Sequence, residues 1–284
     1  MFTLHNGDCL QVMPSIPSGS IDAIITDLPY GTTACKWDTV IEFAPMWKEV
    51  KRVLKPNGAF ISTASQPFTS ALVMSNPSMF KCEWIWQKTT PSNIAVKSSP
   101  MKYHESVLVF CGSTPIFNKQ LEPRSETGRK SLLNRKATIK FSTAKTQGDA
   151  VDKREYSSDK YDVNFKYPSS IQKFVVKKGN IHPTQKPVAL YEYLIKTYTN
   201  EGEAVLDIAM GSGTTIESAE RTGRNSIGIE KDEGIFQSAV LRLKPYTPSN
   251  NRLHLTGGGL SATQSSFTAE VIPPAKLPAK SPRR

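Results

Sequence analysis

The chain has 284 residues, 38% apolar and 21% charged, which is the composition of a globular protein long enough to bury a full core. Lysine and arginine number 36 against 25 acidic residues, and a net charge of +11 points first to a polyanionic partner, nucleic acid ahead of an anionic membrane surface. The start MFTLHNGDCL lacks the pattern of a secretory leader and no apolar run approaches about 18 residues, so the sequence predicts a cytoplasmic protein that does not cross a membrane.

In chain order, Ser20–Thr26 (SIDAIIT) reads as a short apolar strand. Val40–Leu54 reads as a helix, with Phe43, Trp47, Val50 and Leu54 near 3.6 spacing. Lys55-Pro56-Asn57-Gly58 stops that helix and turns the chain into a strand at Gly58–Ser62, and further strands are expected at Glu83–Gln87 and Ser106–Phe110. In the second half a helix is expected at Val188–Tyr198, strands at Ala204–Ile208 and Ser226–Glu230, and a helix at Ile216–Arg221 closed by Gly223. Strands alternating with helices imply a mostly parallel α/β sheet.

Charge divides the chain further. Residues 1–117 carry +1 and 181–245 carry −2, whereas 118–180 carry +8 and 246–284 carry +4. The basic segment 118–180 is weakly patterned and rich in Ser, Thr and Lys, so it reads as an insertion between the two halves of one domain, 1–117 and 181–245. The stretch 246–284, with Gly257-Gly258-Gly259, five prolines and a basic terminus, reads as a disordered tail, either solvated or an electrostatic tether to nucleic acid.

Two constellations carry chemistry. In VLDIAMGSGTT a glycine turn follows a strand and opens a helix, where backbone can approach a ligand. The third glycine of a dinucleotide fingerprint is replaced by Ile216, and no phosphate-loop lysine follows. Asp207 and Glu230, 23 residues apart at two strand ends, are candidate acceptors for ribose hydroxyls, so a nucleoside ligand is expected. The second constellation, Thr26-Asp27-Leu28-Pro29-Tyr30-Gly31, lies just past the strand IDAII, where open α/β sheets build their ligand crevice; the alternative is a proline turn with a packed tyrosine.

Together these residues resemble the amino-methylating DNA methyltransferases, which use S-adenosylmethionine to methylate adenine N6 or cytosine N4. TDLPYG is similar to the family's catalytic (D/N/S)PP(Y/F/W) segment and DIAMGSGTT to its cofactor segment DPFxGSGT. The order, catalytic segment first and basic region between, resembles the permuted β group, as do Asn6-Gly7-Asp8-Cys9, KPNGAFIS, YHESVLVF and His182-Pro-Thr-Gln-Lys-Pro187. The resemblance covers residues 5–110 and 181–243.

That resemblance implies a Rossmann-like, mostly parallel sheet with helices on both faces and an inserted target-recognition region. It implies that Asp27 and the Leu28 carbonyl accept from the amino group of a flipped base, that Pro29 fixes the turn and that Tyr30 stacks on the base. It places Gly211, Ser212, Gly213 and Thr214 around the cofactor, Glu230 on its ribose, Asp8 and Cys9 at its adenine edge, and His182, Thr184 and Lys186 near its methionine carboxylate. Asp8 could instead cap a helix near Leu10, and Lys186 could be solvated. Leu28 replaces the family's first proline. Ile208-Ala209 replace Pro-Phe, which removes an aromatic wall and predicts weaker cofactor binding or compensation by a side chain such as Met210.

Double-stranded DNA is the expected partner, contacted through Lys130, Arg135, Lys136, Lys140 and Lys145, and β-group relatives suggest a homodimer, within a restriction system, a phage or a regulatory circuit. Asp at 27 favours adenine N6; the alternatives are cytosine N4 and a catalytically silent DNA-binding relative. The four cysteines, Cys9, Cys35, Cys82 and Cys111, form no CxxC pair and none follows a proline, which argues against a disulfide framework, a zinc site and carbon-5 chemistry through a thiolate. His104-Glu105 has no second histidine at HExxH spacing, so no metal is expected.

Overall fold

The computed structural model describes residues 1–32, 38–92, 100–135, 162–175, 185–246 and 254–256. Its elements, in chain order, are β1 (Phe2–Asn6), α1 (Cys9–Val12), β2 (Ile21–Thr26), α2 (Phe43–Val53), β3 (Leu54–Ala64), α3 (Phe68–Ser75), β4 (Phe80–Gln87) and β5 (His104–Phe110). There follow β6 (Glu122–Pro123), α4 (Glu126–Arg135), β7 (Phe165–Lys166), β8 (Ile171–Lys173), α5 (Val188–Tyr198), β9 (Ala204–Asp207), α6 (Thr214–Arg221), β10 (Asn225–Glu230), α7 (Glu233–Leu243) and β11 (His254–Thr256).

Nine strands form one sheet in the order β11-β1-β10-β9-β2-β3-β5-β4-β8. Only β5 runs against its neighbours β3 and β4; every other pairing is parallel. All six residues of β2 are buried, which is why the strand is a continuous apolar run rather than an alternating one. Its one acidic residue, Asp22, is held by an ion pair to Lys55 at 2.6 Å and by the Ala204 amide at 2.9 Å.

Period-2 side-chain alternation sorts the sheet's residues between two faces. Ile24 and Phe60 pack with Met46, Trp47 and Val50 of α2 and with Phe68 and Leu72 of α3. Ala23, Ile25, Ala59 and Ile61 pack instead with Leu190, Tyr191, Leu194 and Ile195 of α5. A third cluster joins Phe2 and Leu4 of β1 to Ile216 of α6 and to Phe236, Ala239 and Leu243 of α7. The expected mostly parallel sheet with helices on both faces is therefore what the chain builds.

The chain separates into two compact units, Met1–Asn118 with Ser170–Arg284, and Lys119–Ser169. The basic stretch 118–180 is thus not one structural piece, because Ile171–Lys173 pairs in register with Ile85–Gln87 of the main sheet. In the smaller unit β6 and β7 pair antiparallel and α4 follows β6. The tail from 246 also departs from expectation, since His254–Thr256 pairs with Thr3–His5; 247–253 and 257–284 lie outside the described residues. Lys55–Gly58 does not end before its strand: Leu54 pairs with Ile21 and Ala59 with Ala23, so the proline turn is a register irregularity inside β3.

Phe60 is fully buried, with ring centroids 4.8 Å from Trp47 and 5.9 Å from Phe110. Phe60→Ala should cost about 3–5 kcal/mol of unfolding free energy, read as a fall in the urea midpoint; an unchanged midpoint would show that this aromatic cluster does not hold the sheet to α2.

Candidate active site

Strands β1, β10, β9, β2 and β3 lie side by side and parallel, so their carboxyl ends share one edge of the sheet. The first half of the chain meets the second at β2 and β9, the switch point at which open α/β sheets bind ligands. A cavity of about 1000 Å³ opens there, lined by Asp8 and Cys9 after β1, Asp27 to Tyr30 after β2, Asp207 at the end of β9 and Ala209 just past it, and Glu230 from β10. Sequence reasoning had placed these residues in two constellations and a start motif; the sheet brings them into one cavity.

Asp27 is tied down from several sides. Its Oδ1 accepts from the Tyr30 hydroxyl at 2.8 Å and from the Thr63 hydroxyl at the end of β3, while its Oδ2 pairs with Lys186 Nζ at 2.5 Å. Burial, then the nearby charges of Asp27 and Glu105, holds the Tyr30 phenol well above its usual range, so it stays a donor to the carboxylate. The Tyr30 ring stacks on Phe68 with centroids 5.1 Å apart. The next backbone amides, of Gly31 and Thr32, both donate to the Asp38 carboxylate at 2.9 Å, which fixes the end of the loop. Leu28 is buried in the core and Pro29 is partly exposed in the cavity wall.

The glycine turn has its own supports. Gly211 and Gly213 adopt φ of 52° and 79°, which side chains rarely take. Nothing lies within 4 Å of a Cβ built on Gly211, which lines the cavity, whereas one on Gly213 would meet Leu243 of α7 at 2.9 Å. Asp207 is buried and accepts from the Ala209 amide at 3.1 Å and from the Thr215 hydroxyl, bracing the two ends of the turn. Burial pushes its carboxyl up to about 7 against the bonds that favour the anion. Arg242 of α7 donates to the Ser212 carbonyl at 2.8 Å, to the Ser212 hydroxyl at 3.0 Å and to the Thr214 hydroxyl at 3.1 Å, with Glu217 pairing its other nitrogen at 2.5 Å.

Glu230 turns one oxygen to the Gly211 amide and the other to the Asp232 amide, each at 2.9 Å, and burial raises its carboxyl above the usual range. Its backbone carbonyl accepts from Gly7 N at 2.8 Å and from Asn6 Nδ2 at 3.0 Å, which fastens the Asn6-Gly7-Asp8 segment to β10. Asp8 caps α1 through the Leu10 amide at 2.9 Å while lining the cavity, and its other oxygen pairs with the exposed Lys231 at 3.0 Å. The capping alternative therefore holds for Asp8. The Cys9 thiol is pushed up to about 12 by burial and then by Asp8, so it is a neutral wall and not a nucleophile. A cavity with carboxylates at adjacent strand ends and a glycine turn beside them fits a nucleoside ligand.

The comparisons with known proteins agree with that chemistry. A family model described as DNA methylase matches residues 21–241. The chain belongs to the N6/N4 DNA methylase family. Type II methyltransferase M.HinfI of Haemophilus influenzae is 25% identical across 98% of this chain and 75% of its own length. Type II methyltransferase M.HpaI of Haemophilus parainfluenzae is 28% identical across 83% and 72%. The solved M1.HpyAVI–SAM complex shares the fold at TM-score 0.57 and 24% identity, covering 86% of this chain and all of that one. The cytosine-N4-specific PvuII DNA methyltransferase does so at TM-score 0.59 and 18% identity, covering 88% of each.

Within this methylase several expected residues move. Lys186, expected beside a cofactor carboxylate or in solvent, is buried against Asp27 and Glu105, because a desolvated ammonium needs carboxylate partners. Met210 is buried with its sulfur against Gly228 and also lines the cavity next to Ala209, the position without the expected aromatic. His182, Thr184, Lys136, Lys140 and Lys145 lie outside the described residues, as does the Arg135 side chain. Lys130 is exposed and pairs with Glu126 one helical turn away at 2.8 Å. Sequence reasoning missed Thr63, Glu105, Lys88 and Arg242. For Arg242 a signal existed: Asp232 caps α7, and Phe236, Ala239 and Leu243 recur at helical spacing. Among the described residues no helix is long and apolar enough to cross a membrane, and no His, Cys, Asp and Glu cluster could hold a metal.

The raised Asp207 carboxyl has a pH signature. Between its ordinary value of 3.8 and about 7 the unfolded chain ionises while the folded chain keeps its proton, so this group's contribution to stability is full below 3.8 and is lost as pH rises through about 7. Asp207→Asn cannot ionise, so its stability relative to the parent should rise between those two pH values in parallel urea melts. A pH-independent difference would contradict the burial of this carboxyl.

Proposed function

We propose that the protein methylates the exocyclic N6 of adenine in double-stranded DNA, with Asp27 as the carboxylate that activates the amino group. The observation that carries this reading is the Asp27 carboxylate, held at the carboxyl end of β2 in the same cavity as the glycine turn and Glu230. S-adenosylmethionine is the cofactor, and when bound it supplies a methyl group made electrophilic by the sulfonium. Glu230 accepts from its ribose, Gly211 to Thr214 give the close backbone approach, and Asp8 and Cys9 face its adenine edge.

The base amino lone pair is delocalised into the ring and is a poor nucleophile. Asp27 and the Leu28 carbonyl accept from its two N–H groups and draw the nitrogen toward tetrahedral geometry, so the acceptors act where the transition state differs most from the ground state. Tyr30 offers its ring to the extrahelical base, replacing part of the stacking lost on flipping, and Phe68 backs that ring. Thr63 and the Tyr30 hydroxyl fix the carboxylate before the base arrives, which spares reorganisation during reaction. An aspartate at position 27 favours adenine over cytosine because the resembling cytosine enzymes more often carry serine there.

The test is methyl transfer from S-adenosylmethionine to unmethylated duplex DNA, followed by nucleoside digestion and mass spectrometry. N6-methyladenine is expected from the parent, with loss of about a hundredfold or more in Asp27→Ala and in Tyr30→Ala. N4-methylcytosine would overturn the choice of base, and full activity in both variants would overturn the assignment of the site.

A further inference from the structure

The carboxylate that should receive the base is already engaged by the chain itself. Both Asp27 oxygens accept from the chain itself: Oδ1 from Tyr30 and Thr63, Oδ2 from Lys186 at 2.5 Å. A carboxylate offers about four acceptor sites and three are filled here, so an incoming amino group must share Oδ2 with the Lys186 ammonium. Tyr30 is backed by Phe68 and Thr63 sits on a central strand, so those two donors are fixed. Lys186 is a single ammonium on a four-carbon stem, and it has somewhere else to go.

That place is Glu105, on β5. Among the described residues its Oε2 is buried without a hydrogen-bond partner and lies 3.7 Å from Lys186 Nζ, beyond hydrogen-bonding range. Its Oε1 is held by Lys88, which itself donates to Ser92 at 2.7 Å and lies 4.8 Å over the Trp86 ring. Glu105 therefore presents one anchored oxygen and one orphaned oxygen, and a buried orphan acceptor is costly enough to call for a partner in some state of the molecule. A shift of roughly 1 Å moves Lys186 from one carboxylate to the other with no change in the number of ion pairs.

We propose that Lys186 is a latch on the base pocket: it holds Asp27 while the pocket is empty and passes to Glu105 Oε2 when the target amino group docks, which makes Glu105 a positioning residue for methyl transfer. This inference rests on the base-methylating reading of the site. Before docking, the latch keeps the Asp27 carboxylate paired and aligned; after it, Asp27 Oδ2 is free to accept from the amino N–H while Lys186 stays compensated. Lys186 is charged in both positions: burial opposes its ammonium, but the Asp27 and Glu105 charges outweigh burial and raise it above its ordinary range.

The experiment is single-turnover methyl transfer from labelled S-adenosylmethionine to unmethylated duplex DNA by the full chain, with cofactor affinity measured in parallel. Glu105→Gln keeps the shape and an acceptor for Lys88 but removes the charge that receives Lys186. Its transfer rate should fall about tenfold, with cofactor affinity within about twofold of the parent. Adding Lys186→Gln to that variant removes the cation left on Asp27 and should recover much of the loss, which no purely structural role of Glu105 would do. If Glu105→Gln does not fold, Glu105→Asp replaces it: the charge withdrawn by one methylene should slow transfer about threefold, again relieved by Lys186→Gln. A parent-like rate in the Glu105 variant, or a double variant no faster than the single one, overturns the latch alone. A parent that methylates no DNA overturns the function proposed above, and the latch with it.

Discussion

The structure turns on one adjacency, the parallel pairing of β2 with β9 at the centre of the sheet. These strands come from opposite halves of the sequence, and each ends in an acidic residue at the same edge, Asp27 just past β2 and Asp207 closing β9. Because parallel strands present their carboxyl ends together, a single pairing brings the Asp27–Tyr30 segment into one cavity with the glycine turn. Several features of the site brace one side of that junction. Thr63 and Lys186 hold Asp27, while Asp207, Glu230 and Arg242 hold the turn.

The bracing groups show how much of an enzyme site is spent on keeping a few atoms still. Asp207 looks like a ligand acceptor at a strand end, yet its oxygens serve the Ala209 amide and the Thr215 hydroxyl. Glu230 serves two backbone amides and still borders the cavity. Carboxylates used this way are desolvated, and the raised protonation of both follows from that burial. The basic charge of the sequence is concentrated in 118–180, which carries +8, and a field of that sign suits a polyanion.

Much of the fold was legible because buried parallel strands are short apolar runs bounded by turn residues. Ser20–Thr26, Ala204–Ile208 and Ser226–Glu230 fall within a residue of β2, β9 and β10, and Val188–Tyr198 coincides with α5. Elements with mixed patterns were not legible. The strand FTLHN earns its place through ladder bonds to β10, and α3 starts at a proline without a side-chain cap. The proline turn at 55–58 is a register irregularity within β3, which local residue preferences do not encode. In the site, the segments that line the cavity carried motifs, whereas Thr63, Glu105 and Arg242 act on those segments or on Lys186 from other strands and helices. Their partners lie 25 to 81 positions away in sequence, a distance over which residue spacing says nothing.

The central claim is that one cavity holds two separable jobs, with Asp27 serving the base and Glu230 serving the cofactor. Titration calorimetry of S-adenosylmethionine binding to Asp27→Asn and Glu230→Gln tests it most directly. Asp27→Asn should bind the cofactor within about twofold of the parent, and Glu230→Gln should lose about tenfold or more. Equal losses in both variants, or a loss confined to Asp27→Asn, would contradict the division.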